Sequence, residues 1–204
     1  LDLPIPGADG IIGDRALGAD VARVVLLGSA SCHGLTSGGV LPIIKHIPGH
    51  GRALSDSHKS LPIVSASLKE LQKTDFKIFK NLSHQPIAMT AHIIYSSIDD
   101  VYPATVSKKV IRDIVREYMN FSGLLISDDI SDNMAALNGG VAERAKAALS
   151  AGCDVVLHCN GNIRDLPDLI SGVREMSDIS LDRWLRAIEN LNPVTSIDAE
   201  LLAN

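Results

Sequence analysis

"GLLISDD", residues 123–129, climbs through three large apolar side chains and ends in a serine and two carboxylates. A short run that is continuously apolar, rather than alternating, is what a parallel strand covered on both faces requires. The same shape recurs in VLPIIKH (40–46), PIAMTAHI (86–93) and CDVVLHCN (153–160). Between these runs lie LKELQKTDFKIFKNL (68–82), TVSKKVIRDIVREYM (105–119) and MAALNGGVAERAKAALSAG (134–152). Their apolar residues return every three or four positions, so they read as crossover helices. In the second of them Val106, Val110, Ile111, Ile114, Val115 and Tyr118 make the apolar face, with Thr105 or Ser107 available as a cap. That helix is expected to be scaffold.

Strands alternating with helices of this length define an α/β fold, either doubly wound or a (β/α)8 barrel. The polar residues decide between the two. Each apolar run delivers chemistry at its C-terminal end: Lys45 and His46, then His92, then Asp128 and Asp129, then His158 and Asn160. A barrel collects its active site from the ends of many strands, whereas a doubly wound sheet concentrates it at one switch point. The reading is therefore a partial barrel of parallel strands with crossover helices, one domain over residues 1–204. Four strands are about half of what an eight-stranded barrel of ~250 residues contains. Two open edges and uncovered inner faces are expected to make the isolated polypeptide self-associate or pair with another chain.

The bulk composition excludes several function classes. With 46% hydrophobic and 21% charged residues among 204, the chain reads as a soluble globular protein with one sizeable core. A net charge of −5, with lysines and arginines scattered, offers no basic field for nucleic acid. No apolar stretch reaches the ~18 residues of a membrane span, and LDLPIPGADG lacks the regions of a signal peptide, so a cytoplasmic location is expected. Cys32, Cys153 and Cys159 show no CxxC spacing and stand in apolar or small-residue contexts, which suggests buried thiols in a reducing compartment.

The stretch KHIPGHGRALSDSH, residues 45–58, holds three histidines on a segment that Pro48 and the glycines keep from being helical. A one-faced i, i+4 histidine pair for zinc is thereby excluded, while a metal site borne by the loop on His46, His50 and His58 stays open. Asp56 and His58 are two residues apart, close enough for the carboxylate to fix the imidazole's tautomer and raise its basicity, as general acid–base work requires. Lys45 and His46, at the strand end, look like fixed hydrogen-bond donors to a ligand bearing oxygens. Neighbours on a strand point to opposite faces, so only one of Asp128 and Asp129 can face the site directly. Asp128 is the candidate; Asp129 and Asp132 are better read as caps.

KHIPGHG with the spaced DSH, then AMTAHI, GLLISDD and AGCDVVLHCNG together resemble glycoside hydrolase family 3, with the closest likeness to bacterial β-N-acetylglucosaminidases. The resemblance runs from the first residues to about Gly161. It implies a (β/α)8 barrel and hydrolysis of terminal β-linked N-acetylglucosamine with retention, without cofactor or metal. Asp128 would be the nucleophile and His58, oriented by Asp56, the general acid/base; Lys45, His46 and Arg15 would contact the sugar. The implied substrates are peptidoglycan fragments carrying N-acetylglucosamine on anhydro-N-acetylmuramic acid.

A retaining glycosidase ordinarily pairs a carboxylate with a carboxylic acid about 5 Å away. A loop-borne histidine, with its ordinary pKa of about 6.5, can take the acid's place. Two departures accompany the likeness. Ser131, Asp132, Asn133 and Met134 look like two extra residues after the nucleophile, expected to shift Asp128 or widen the pocket. Residues 1–18 resemble the loop after the fourth barrel strand, so the chain would supply strand units five to eight. A phosphorolytic variant and a non-catalytic sugar-binding fragment are the competing readings.

Overall fold

The apolar runs become strands. In a computed structural model that describes residues 1–7, 10, 12–54, 60–131 and 137–191, the chain passes through α1 (Val21–Ser37), β1 (Ile43–Ile47), β2 (Ile63–Val64), α2 (Leu68–Lys73), α3 (Asp75–Asn81), β3 (Ile87–Thr90) and β4 (Ile94–Tyr95). A π-helix (Val110–Tyr118), β5 (Leu124–Asp129), α4 (Val141–Ala151), β6 (Val155–Leu157), α5 (Leu166–Gly172) and α6 (Asp178–Glu189) follow. One parallel sheet holds the four expected strands in the order β1-β3-β5-β6, and a second, short parallel pair joins β2 to β4.

Register aligns the strands so that their carboxyl ends share one rim. Ile43, Ile87 and Leu124 lie level, as do Ile44, Ala88 and Leu125. Above that level two strands carry an extra residue. Three steps of β1, Ile44 to Ile47, span two of β3, Ala88 to Thr90; three steps of β5, Ile126 to Asp129, span two of β6, Val155 to Leu157. Both irregularities have the two-against-one count of a β-bulge, which re-aims side chains. They fall at Lys45–His46 and at Ser127–Asp128, the positions that carry the candidate chemistry.

The outer face of the sheet packs under the helices. Ile44, Ile47, Ala88 and Leu125 share a buried cluster with Val24 of α1, Leu71, Phe76 and Phe79 of α2 and α3, and Ile111 and Val115 of the π-helix. The helix expected over 68–82 breaks in two at Thr74, whose backbone (φ −120°, ψ −95°) leaves the helical region. Ser107 caps the next helix, its Oγ accepting from Val110 N (3.1 Å); Thr105 is buried elsewhere, as described below. The third helix begins only at Val141, where the Glu143 carboxylate accepts from Gly140 N (3.0 Å).

α1 was not foreseen. Its sequence mixes glycine, serine and cysteine without a clear period, yet Asp20 accepts from Arg23 N (2.9 Å) at its start, and Gly39 in the left-handed region (φ +79°) closes it. At the opposite end of the sheet, α6 closes the floor. Ala187 packs on Ile87 and Leu124, and the buried Asp154 gathers Arg183 (2.8 Å), Ser180 Oγ (2.7 Å), Arg116 (2.9 Å) and Leu125 N (2.9 Å). Elsewhere α6 leaves Leu181, Trp184, Leu185 and Ile188 exposed, as is Ile43 on β1.

One carboxylate thus satisfies two arginines, a hydroxyl and a strand amide. Removing a buried partner strands the others without water. Asp154→Ala should lower unfolding stability by about 3–5 kcal/mol, as breaking buried ion pairs does. Urea titration checks this, and a loss below about 1 kcal/mol, typical of exposed pairs, would refute the hub.

Candidate active site

β1 brings Lys45 and His46 to the rim, and the N-terminal segment holds them there. The buried Asp2 carboxylate accepts from His46 N (3.2 Å) and His50 N (2.7 Å) through Oδ1 and contacts His46 Nδ1 (2.7 Å) through Oδ2. The Leu1 nitrogen donates to the Lys45 carbonyl (2.7 Å). Gly51 lies so close to this segment that a Cβ there would meet the Leu3 carbonyl oxygen at 2.1 Å. Burial works to raise the Asp2 pKa, but the hydrogen bond and charge of His46 and the His50 amide outweigh it and hold the carboxyl well below its ordinary value. An ionised carboxylate only accepts. Nδ1 of His46 therefore carries a proton, and among the described residues Nε2 has no hydrogen-bond partner.

His50 stacks obliquely on His46, with ring centroids 5.4 Å apart, and among the described residues its buried Nδ1 has no hydrogen-bond partner. Burial lowers its pKa. Lys45 is exposed on the strand. Arg15 stands exposed in a 3-10 turn (Gly13–Arg15), its Nε on the Ile12 carbonyl (3.3 Å), and both it and Lys45 lie within electrostatic reach of the Leu1 nitrogen.

β5 ends in the two carboxylates, and they have different employment. Asp129 is tied down: it accepts from Ser131 N (3.0 Å), Ser131 Oγ (2.6 Å) and, across to the loop after β6, Cys159 N (3.0 Å). Burial opposes its ionisation, but the Ser131 hydroxyl and amide together with the Cys159 amide keep its pKa below the ordinary value. It is a cap, though of this loop rather than of α4. Asp128 is half-buried and uses Oδ1 to accept from Asp129 N (2.8 Å); among the described residues its Oδ2 has no hydrogen-bond partner. Its charge reaches His50, His92 and Cys159. Of the two half-buried carboxylates, Asp128 is the one with an oxygen uncommitted among the described residues.

Two expectations change. Cys159 is exposed, not buried, because it lies past the end of β6 with its amide held by Asp129; Cys32 and Cys153 are buried. His158 and Asn160 do not reach toward Asp128. Both bond Asp165 Oδ2 (3.1 and 3.0 Å), which closes the β6 loop on itself. Asp56, His58 and the residues 132–136 after β5 lie outside the described residues. Asp2 is the participant that sequence reading missed; nothing in LDLPIPGADG sets it apart from an ordinary surface aspartate.

One rim of the parallel sheet thus carries a lysine, a carboxylate-held histidine and an aspartate with one oxygen uncommitted among the described residues. Residues 1–190 match the Glycosyl hydrolase family 3 N terminal domain, and the chain belongs to that family. A Beta-hexosaminidase of Thiobacillus denitrificans is 39% identical over 156 residues, covering 76% of this chain and 43% of its own. NagZ from Neisseria gonorrhoeae, solved in complex with N-trifluoroacetyl-D-glucosamine, superposes with TM-score 0.81 at 33% identity, covering 94% of this chain and 55% of that one. Zn-bound CbsA from Thermotoga neapolitana gives 0.79 at 33% identity, covering 99% and 46%. The chain spans about half the length of the curated relatives it matches. Among the described residues here, no three His, Cys, Asp or Glu side chains are grouped to hold a metal ion.

The Asp2 clamp has a pH signature. Because its folded pKa is depressed, the stability it contributes is present above the ordinary aspartate value of about 3.9 and is lost as pH falls toward the folded value. The stability difference between wild type and Asp2→Asn should therefore be constant above about pH 5 and shrink from there to about pH 2. A difference independent of pH over that range would contradict the clamp.

Proposed function

We propose that this chain supplies the nucleophile, the acid/base loop and the Lys–His pair of a retaining β-N-acetylhexosaminidase. The observation that carries the reading is the division of labour at the end of β5: Asp129 is consumed by Ser131 and Cys159, while among the described residues Asp128 keeps one oxygen uncommitted, within electrostatic reach of His50 and His92. In the first step Asp128 attacks the anomeric carbon as the glycosidic C–O bond breaks, and His58, oriented by Asp56, gives its proton to the leaving oxygen. Water then attacks the glycosyl-aspartate; His58 recovers a proton from it and Asp128 leaves as carboxylate. Lys45, His46 through Nε2, and Arg15 hold sugar hydroxyls.

Terminal N-acetylglucosamine on peptidoglycan-derived fragments is the substrate class we assign, in keeping with the β-hexosaminidase relatives. The free cysteines fit work in the reducing cytoplasm. The sheet's two ends, β1 and β6, each pair on one side only among the described residues. Completing the sugar pocket is therefore assigned to further strands, supplied by the same or another chain.

A 2-fluoro sugar that traps the intermediate should label the peptide containing Asp128; label on Asp129 or Glu143 would overturn the assignment. His58→Ala should slow a natural disaccharide by about 100-fold while sparing the first step with an activated phenol leaving group, which needs little protonation. Equal losses on both substrates would make His58 structural. The polypeptide of residues 1–204 alone should self-associate in light scattering and show no turnover, and a family 3 N-terminal half added in trans should restore both dispersity and activity. An active monomer of residues 1–204 would contradict the division of the pocket.

A further inference from the structure

Behind Asp128 lies a buried polar chain that the proposed chemistry does not itself use. His92, two residues past the end of β3, is completely buried, as are Thr90 and Thr105. His92 Nε2 lies 2.6 Å from the Asp129 carbonyl oxygen, and Nδ1 lies 2.7 Å from Thr105 Oγ1. Thr105 Oγ1 is 2.8 Å from Thr90 Oγ1, which accepts from the Asp128 amide (3.0 Å).

With the His92 ring neutral, counting hydrogens orients the chain. A carbonyl only accepts, so Nε2 carries a proton. The Asp128 amide only donates, so the Thr90 hydroxyl accepts from it and turns its own hydrogen to Thr105 Oγ1. Thr105 Oγ1, which also lies 3.1 Å from the Ala91 carbonyl oxygen, gives its one hydrogen to Nδ1 at the shorter distance when the imidazole is neutral. Burial favours that neutral form by lowering the His92 pKa. Every polar atom of the two threonine hydroxyls and the ring is then used. The peptide units on the two sides of the Asp128–Asp129 pair are gripped at once, one at its N–H and the other at its C=O. Both grips originate from β3 and the segment following it, while the carboxylates belong to β5.

We propose that His92, by its own bond to the Asp129 carbonyl and together with Thr105 and Thr90 at the Asp128 amide, is a positioning residue that fixes the backbone of Asp128 so that its carboxylate meets the anomeric carbon. This rests on the assignment of Asp128 as nucleophile. A displaced nucleophile lowers the rate of bond formation while leaving ground-state sugar contacts at Lys45 and His46 intact, so the effect belongs in kcat and not in KM.

The two ends of the ring separate this role from simple core packing. A glutamine at 92 reaches the Nε2 position and keeps a donor for the Asp129 carbonyl. An asparagine reaches only the Nδ1 position and keeps only Thr105. On the active assembly, His92→Asn should reduce the fluoro-sugar trapping rate and kcat by about 100-fold with KM changed by less than about threefold, and His92→Gln by less than about tenfold. Thr90→Val should fall like His92→Asn, and Thr90→Ser, which restores the hydroxyl, should return to near the wild-type rate. Melting temperatures should not follow this ranking. Equal losses in Gln and Asn, losses that track melting temperature, or a wild-type rate in Thr90→Val would overturn the proposal. Wild-type protein that labels elsewhere than Asp128 would instead remove the functional assignment and this inference with it.

Discussion

Every backbone polar group around the end of β5 has to be satisfied where neither solvent nor a continuous ladder is available, and the site depends on how that is done. Ser127 Oγ accepts from Leu157 N (3.0 Å) and donates to the Asp128 carbonyl (2.7 Å). The Asp128 amide goes to Thr90, the Asp129 amide to Asp128 itself, and the Asp129 carbonyl to His92. Ile130 N reaches the Leu157 carbonyl (2.8 Å), and Arg144 takes the Ser131 carbonyl (2.6 Å). A buried unpaired amide or carbonyl costs about as much as a lost hydrogen bond, so a segment with this many fixed partners has few alternative conformations. The bulge at Ser127–Asp128 makes the demand: it breaks the ladder, and side chains must replace what the ladder no longer supplies.

β1 solves the same problem with a different residue. Its extra residue falls at Lys45–His46, and the groups it frees are met by the Asp2 carboxylate, which binds two amides and an imidazole at once. The electrostatic outcome is complementary. One carboxylate, Asp2, is spent on holding a histidine; another, Asp129, is spent on holding a loop; the third, Asp128, has one oxygen uncommitted among the described residues. Rigid support behind a lightly engaged reactive group is what preorganised catalysis asks for.

The four strands and their common rim were legible because continuous apolar runs and polar strand ends are local signals, and GLLISDD carries both. Simple alternation is an incomplete reason for preferring Asp128 to Asp129. The bulge interrupts alternation, and the competition for Asp129 by Ser131 and Cys159 is what separates the two. What escaped was non-local. Asp2 matters only because the first three residues pass alongside Gly51. α1 has no clean amphipathic period, since Gly28 sits where a Cβ would meet the Leu1 side chain at 2.4 Å. Thr105 looked like a helix cap and is instead the middle of a buried chain to His92. The exposure of Cys159 depends on where β6 stops, which is set by pairing with β5 rather than by its own composition.

The central claim is that Asp128, and not its neighbour, forms the bond to the sugar. Replacing Asp128 by glycine in the active assembly removes the nucleophile and leaves space on that face for a small anion. Supplied with azide and an activated aryl N-acetyl-β-glucosaminide, this Asp128→Gly variant is expected to release the phenol and yield the α-glycosyl azide, identified by its anomeric NMR signal. Formation of the β-azide, or azide rescue of Asp129→Gly with none for Asp128→Gly, would contradict the account.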